Sequence, residues 1–253
     1  MPALTGRTAI VTGVSRRAGI GFAIARRLID GGASVIVQSW TAHDERHPWG
    51  PDPGGMAAVL AELGRPHHVE LDLADEDAPA RLIDEAGDRL GHIDILVANH
   101  ARSGHGGLGT LTGAELDAFW AVNVRATLLL VQAFAGRHDG RPGGRVVMMT
   151  SGQHRGPMPT EIGYAVTKGA VQQATATLAD ALADRGITVN TVNPGPTDTG
   201  WPTQEVRAEV LALMPFGRWG EPDDAARLIA WLCSDEGGWI TGQVIDSEGG
   251  FRR

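Results

Sequence analysis

The residues best equipped for chemistry are Tyr164 and Lys168, in the stretch Gly163-Tyr164-Ala165-Val166-Thr167-Lys168. They are the only tyrosine and the only lysine among 253 residues; every other cationic side chain is an arginine. Four positions apart on a helix, they share one face about one turn from each other. A cation there lowers the phenol's pKa and readies it for proton transfer near neutral pH. A surface aromatic–cation pair would be served as well by arginine, so the single lysine argues for a chemical role.

The elements that must position this pair are legible as periodicity. Short β-rich runs at 7–12, 33–39, 67–71, 93–98, 145–149, 187–192 and 243–246 predict seven strands. Helical patterns intervene at 22–30, 55–63, 75–90, 112–137, 160–185 and 222–233, with a helical lid expected within 198–216. Alternation of this kind predicts an α/β fold: one doubly wound (Rossmann), mostly parallel seven-stranded sheet with helices on both faces, as a single domain over 1–253. In such a sheet ligands bind beyond the C-terminal strand ends. The fifth strand delivers Ser151 there, and Asn123 interrupts the apolar stripe of the 112–137 helix, whose start carries Thr112 as cap with Glu115.

The first strand runs into Gly13-Val14-Ser15-Arg16-Arg17-Ala18-Gly19-Ile20-Gly21 and then a helix. Strand, glycine loop and helix together form a phosphate cradle, because glycines admit the backbone of a close ligand and the helix start directs N–H groups at it. The second strand ends in Gln38-Ser39-Trp40, where a carboxylate would hold the ribose hydroxyls of NAD. Its absence removes the repulsion that excludes a 2′-phosphate, and Arg16, Arg17 and Ser39 stand ready to bind one, so NADP(H) is favoured over NAD(H). Against this, Asp44 and Glu45 follow closely enough to fold back towards the ribose, and loop arginines are often merely solvated. Asp72, with Leu73 at the end of the third strand, either meets an adenine amino group or caps the next turn. His43, Asp44 and His47 lie in a Pro/Gly/His-rich loop over 40–55, read as solvated polar residues without a metal.

Composition excludes other classes. Thirty acidic against 22 basic residues, a net charge of −8, speak against nucleic acid or an anionic membrane as partner. The single Cys233 rules out a disulfide framework and suits a reducing cytoplasm. No uninterrupted apolar run reaches the ~18 residues of a membrane span, and residues 1–6 lack a signal pattern.

Over residues 7–250 the sequence resembles the short, single-domain branch of the short-chain dehydrogenase/reductase family, close to its 3-oxoacyl-carrier-protein reductases. The resemblance rests on Tyr164-x-x-x-Lys168 with Ser151 thirteen residues upstream, on Asn123, on Asn193-Pro194-Gly195 followed by Thr197 and Thr199, and on Ile240-Thr241-Gly242-Gln243 with Gly249-Gly250. Two features depart from the pattern: five residues separate Gly13 from Gly19 where three are usual, and Asn-Asn-Ala-Gly becomes Ala98-Asn99-His100-Ala101. The longer loop resembles that of enoyl-reductase relatives, which however space their Tyr and Lys more widely.

The resemblance implies a ketoreductase acting on a small carbonyl or secondary alcohol. Tyr164 would exchange the proton, Ser151 steady the substrate oxygen, Lys168 hold the nicotinamide ribose, and Asn123 place a water that links Lys168 to solvent. Gln153, His154, Met158, Ile162 and Trp201, with His105 beside them, are expected to line the substrate pocket. The family commonly pairs its two long helices, so a homotetramer is expected. The competing reading is a non-catalytic dinucleotide sensor on the same fold, although such proteins tend to lose a catalytic side chain.

Overall fold

The computed structural model describes residues 3–253; Met1 and Pro2, the first of the residues read as lacking a signal pattern, lie outside the described residues. The strands are β1 (Thr8–Val11), β2 (Ser34–Ser39), β3 (His67–Glu70), β4 (Ile95–Ala98), β5 (Gly144–Met149), β6 (Ile187–Asn193) and β7 (Val244–Asp246). They make one sheet in the order β3-β2-β1-β4-β5-β6-β7, and every neighbouring pair is parallel. The expectation of a mostly parallel sheet therefore sharpens to a wholly parallel one. β1, β4 and β5 are buried along their full length, which is why they read as unbroken apolar runs and not as alternating ones.

Around the sheet lie α1 (Ile20–Asp30), α2 (Thr41–Asp44), α3 (Gly55–Glu62), α4 (Ala78–Leu90), α5 (Gly113–Trp120), α6 (Ala126–Arg137), α7 (Ile162–Ala183), α8 (Gln204–Ala212) and α9 (Pro222–Cys233). Successive strand residues turn to opposite faces. Ile10, Leu96, Val146 and Met148 pack with Leu82 of α4, Phe134 of α6 and Val171 of α7. Val11, Val97 and Val147 pack on the other face with Leu28 of α1, Val59 of α3 and Ile229 of α9.

The order places β1 beside β4, while the chain leaving β1 passes first to β2 and β3 on the far side. The loops after β1 and β4 thus diverge, and the crevice between them is where an open parallel sheet takes a ligand. Both the glycine loop and Asn99 flank that crevice.

Three readings are revised in detail. The 40–55 loop contains the short α2, placed immediately after β2. α4 starts at Ala78, three residues later than expected, because Asp72 and Asp75 form a turn and Pro79 then opens the helix. The 112–137 helix is interrupted: between α5 and α6 five residues, Ala121–Arg125, form a π-helical turn. Thr112 caps its start, its hydroxyl accepting from the Glu115 N–H at 3.2 Å. The composite helix Gly113–Arg137 is, by length and composition alone, apolar enough to cross a membrane; half of its most apolar window is buried within the fold, as expected of a core helix.

Candidate active site

At the crevice, backbone and side chains are stitched closely enough to require glycine. Gly13 has φ +71°, and a Cβ on it would lie 2.9 Å from the His100 Cα and 3.0 Å from the Asn99 Nδ2. A Cβ on Gly21 would strike the Gly13 carbonyl and approach Asn99 Nδ2 to 2.7 Å. Asn99 explains the crowding, because its amide donates to the carbonyls of Thr12 (3.0 Å) and Gly13 (3.2 Å). Gln38 binds the loop from the other side: its Oε1 accepts from the Gly13 N–H at 3.0 Å, and its amide donates to the Leu71 carbonyl at 2.8 Å. α1 then begins after Gly19 with no side-chain cap and no acidic residue in its first turn. Its positive end is left for an outside anion, so Ser15, Gly19, Ile20 and Gly21 fit the pyrophosphate of a dinucleotide.

The residues expected at a 2′-phosphate are all engaged within the chain. Ser39 is fully buried, its hydroxyl 2.8 Å from His68 Nε2. Arg17 forks onto Asp52 at 2.8–3.1 Å, and Arg16 pairs with Asp44 at 3.3 Å while donating to the Thr199 carbonyl at 2.9 Å. The 40–54 segment folds onto the glycine loop and brings its own carboxylates, Asp44 to Arg16 and Asp52 to Arg17. Asp72 caps, its Oδ1 accepting from the Ala74 N–H at 2.9 Å, and Leu73 is buried in the core. After β6, Asn193 holds the Gly195 N–H at 3.0 Å, and the Thr197 hydroxyl donates to the Pro194 and Gly195 carbonyls at 3.2 Å.

Tyr164 and Lys168 share the first turns of α7, with Lys168 Nζ 5.6 Å from the phenol ring centroid. Lys168 is 3% exposed and donates to the Met149 carbonyl at 3.0 Å, while Thr150 donates to the Lys168 carbonyl at 3.0 Å. The end of β5 is thereby bonded to both ends of this lysine, and Ser151 follows at once. Asn123 is buried in the π turn and does not reach Lys168. Its Oδ1 accepts from the Arg102 N–H at 2.8 Å, and its amide donates to the Arg102 carbonyl and to Thr167 Oγ1, each at 2.9 Å. Thr167 donates onward to the Tyr164 carbonyl at 2.8 Å. Asn123 therefore steadies the turn that carries Tyr164.

Burial raises the Tyr164 phenol to about 12, with Glu161 adding to the rise and a side-chain hydrogen bond from Ser151 opposing it. The lowering expected from sequence does not appear, because desolvation is the largest influence on the phenol and outweighs the Ser151 hydrogen bond. His100, missed by sequence reasoning, is buried between Thr12 Oγ1 (2.8 Å) and the Val122 carbonyl of the π turn (3.0 Å). A carbonyl can only accept, so Nε2 carries the proton and Nδ1 accepts from Thr12. Burial and, less strongly, Lys168 hold His100 neutral, down to about 3. The signal was its place just beyond the end of β4, beside Thr12, which follows β1.

A cavity of about 310 Å³ is lined by Ser151, Gln153, His154 and Lys168, with Val166 and Gln172. Of the expected substrate residues, Met158, Ile162 and Trp201 lie outside it; Trp201 instead donates its indole N–H to the Thr197 carbonyl at 3.1 Å. His105 is solvent-exposed, 3.9 Å from Glu161. Arg253, also missed, bonds Glu248 at 2.6–3.0 Å and packs on Gly152 and Gly156, bracing the Ser151 loop. A larger hollow of about 570 Å³ is lined only by charged side chains of α4 and holds none of these groups.

Burial lowers the Lys168 ammonium to about 8 from the usual 10.5. The folded protein thus holds this proton less tightly than the unfolded chain, so the burial penalty is felt in full below about pH 8 and is relieved as pH rises towards 10.5. Relative to Lys168→Met, the wild type should gain on the order of 3 kcal/mol across that window. Urea denaturation of both cofactor-free proteins at intervals over this range measures it; a pH-independent difference would mean that the ammonium is hydrated.

With this geometry in view, the comparisons are consistent. Residues 13–252 match the family described as Enoyl-(Acyl carrier protein) reductase. The chain is 42% identical to the uncharacterized oxidoreductase YjdA of Bacillus subtilis over 98% of its own length and 97% of the relative's. It is 32% identical to the 3-oxoacyl-[acyl-carrier-protein] reductase of Synechocystis, over 99% of each chain. A short chain dehydrogenase from Burkholderia cenocepacia, solved in complex with NADP, superposes with a TM-score of 0.86 at 36% identity over 98% of each chain. By the family match and by relatives above 30% identity over nearly its whole length, the chain belongs to the short-chain dehydrogenase/reductase family of NAD(P)-dependent oxidoreductases.

Proposed function

We propose that the protein is an NADP(H)-preferring ketoreductase that interconverts a small carbonyl compound and its secondary alcohol. The observation that carries the reading is the arrangement of Tyr164 and Lys168 on one face of α7, with Ser151 and Lys168 lining one cavity. The four-residue step between Tyr164 and Lys168 supports carbonyl chemistry over enoyl reduction, as does the similarity to a 3-oxoacyl-carrier-protein reductase. NADP bound to the Burkholderia relative, and Ser39 where a carboxylate would favour NAD, support the cofactor preference.

The nicotinamide supplies or accepts the hydride; the chain's residues manage the proton and the charge. Tyr164 gives its proton to the substrate oxygen in reduction and takes it back in oxidation. Ser151 donates to the same oxygen and stabilises its developing negative charge. Lys168 would hold the nicotinamide ribose, and it places a positive charge beside the phenol. Asn123 and Thr167 fix the turn on which Tyr164 rides. The 198–216 segment, containing α8, serves as the lid, and the whole chain acts as one domain.

The same reading extends to assembly as a homotetramer. Trp120, Leu128 and Val166, on the two long helices, are 48%, 37% and 59% exposed, more apolar surface than an isolated fold leaves open there.

Tyr164→Phe should retain cofactor binding, followed by NADPH fluorescence, while turnover of a ketone panel falls roughly 10²–10⁴-fold. Lys168→Arg should fail as well, since a guanidinium cannot donate from the position of the ammonium. Near-normal turnover in Tyr164→Phe would remove the mechanism. Light scattering at micromolar concentration should give four copies; a monomer would overturn the assembly.

A further inference from the structure

Close to the reacting pair, two acceptor oxygens stand without a donor. Gln153, which lines the cavity with Ser151 and Lys168, gives its amide N–H to Glu161 Oε2 at 3.1 Å. A carboxylate can only accept, so this bond fixes which end of the amide faces Glu161 and leaves Gln153 Oε1 as the free end. That oxygen is buried and, among the described residues, accepts from nothing. A buried acceptor without a donor forfeits a hydrogen bond on folding and calls for a reason.

Glu161 holds the second. It immediately precedes α7, three residues before Tyr164, and its side chain is 18% exposed. An acidic side chain at a helix start gains by accepting from the first N–H groups, yet this one makes no capping bond. Among the described residues no arginine or lysine pairs with it. Its Oε1 has only the exposed His105 ring, at 3.9 Å, too far for a hydrogen bond. The backbone fixes it through a bridge to the 103–109 loop: Gly106 donates to the Thr160 carbonyl at 2.6 Å and accepts from the Ile162 N–H at 3.1 Å. Its charge reaches the reacting centre, since it adds to the rise of the Tyr164 phenol.

Neither oxygen serves the proton transfer, and neither completes the fold. We propose that Gln153 and Glu161 form the substrate-recognition subsite, and that the substrate carries a free hydroxyl group beside its carbonyl: a hydroxyketone in reduction, the matching diol in oxidation. The inference rests on the ketoreductase reading above and names its substrate class. The hydroxyl supplies the donor that the fold withholds from these oxygens. A plain ketone leaves both acceptors unsatisfied in the closed site, and a site built to bind a hydroxyl rejects the analogue lacking it. A substrate carboxylate or phosphate would meet Glu161 with no arginine between them and is repelled. An ammonium would satisfy Glu161 but add a second cation to a site that already holds Lys168.

The test is reduction by NADPH of four matched ketones: butan-2-one, 1-hydroxybutan-2-one, 1-aminobutan-2-one and 2-oxobutanoate. The hydroxyketone should exceed butan-2-one in kcat/KM by about tenfold or more, with 2-oxobutanoate the poorest. In Glu161→Gln that advantage should shrink to about threefold while kcat/KM for 2-oxobutanoate rises, a gain that structural damage cannot give. Gln153→Leu should shrink the advantage without helping 2-oxobutanoate, and NADPH fluorescence checks that both variants are folded. Equal use of butan-2-one, a preference for the amine or the acid, or an undiminished hydroxyl advantage in both variants overturns the substrate class and leaves the ketoreductase standing. An enzyme that binds NADPH and reduces none of the four overturns both.

Discussion

Lys168, a residue only 3% exposed whose ammonium donates to a backbone carbonyl, is a buried cation that the fold must hold in place. The surroundings are arranged to keep it there. β5 ends at Met149, whose carbonyl takes the ammonium, and Thr150 grips the carbonyl of the same lysine, so α7 cannot slide along the sheet without breaking both. Arginine is too long and too wide for that socket, which accounts for the one lysine in a chain that uses arginine for every other cation. Burial dominates at the neighbouring phenol, and Tyr164 rests as a firmly protonated acid.

The π turn is the second constraint. One additional residue in the helical turn shifts the hydrogen-bond ladder and leaves polar groups to be satisfied from outside the helix. His100 takes the Val122 carbonyl, and the Asn123 side chain turns inward to Arg102 and Thr167. The end of β4, the long helix and α7 are thereby joined by one polar network. A neutral imidazole suits this post because it both donates and accepts, as the Val122 carbonyl and the Thr12 hydroxyl require.

Much of this was visible in the chain itself, and what was hidden follows a physical pattern. Strand and helix existence follow from local periodicity, so β1, β5 and α9 lie where the apolar runs and caps put them. Glycines, Ser151, Tyr164 and Lys168 gather because the ends of parallel strands all open on one side of the sheet. The partners of polar side chains were not legible. Whether Arg16 is free or paired depends on how the 40–54 segment folds over the glycine loop, and no short-range pattern encodes that. The direction of the Tyr164 shift depends on how much water burial removes, which a cation four residues away cannot reveal. Asn123 was picked out correctly as unusual, but its partners lie 21 and 44 residues away.

The rarity of lysine has a consequence beyond chemistry at the site. Among side chains, amine-directed reagents have one target, and it lies buried against the C-terminal end of β5. A lysine-specific protease likewise has one bond to cut, in the second turn of helix α7. Cleavage there requires that helix to leave the sheet, so the rate of a single cut reads out the opening of the core, with no contribution from fraying surface loops.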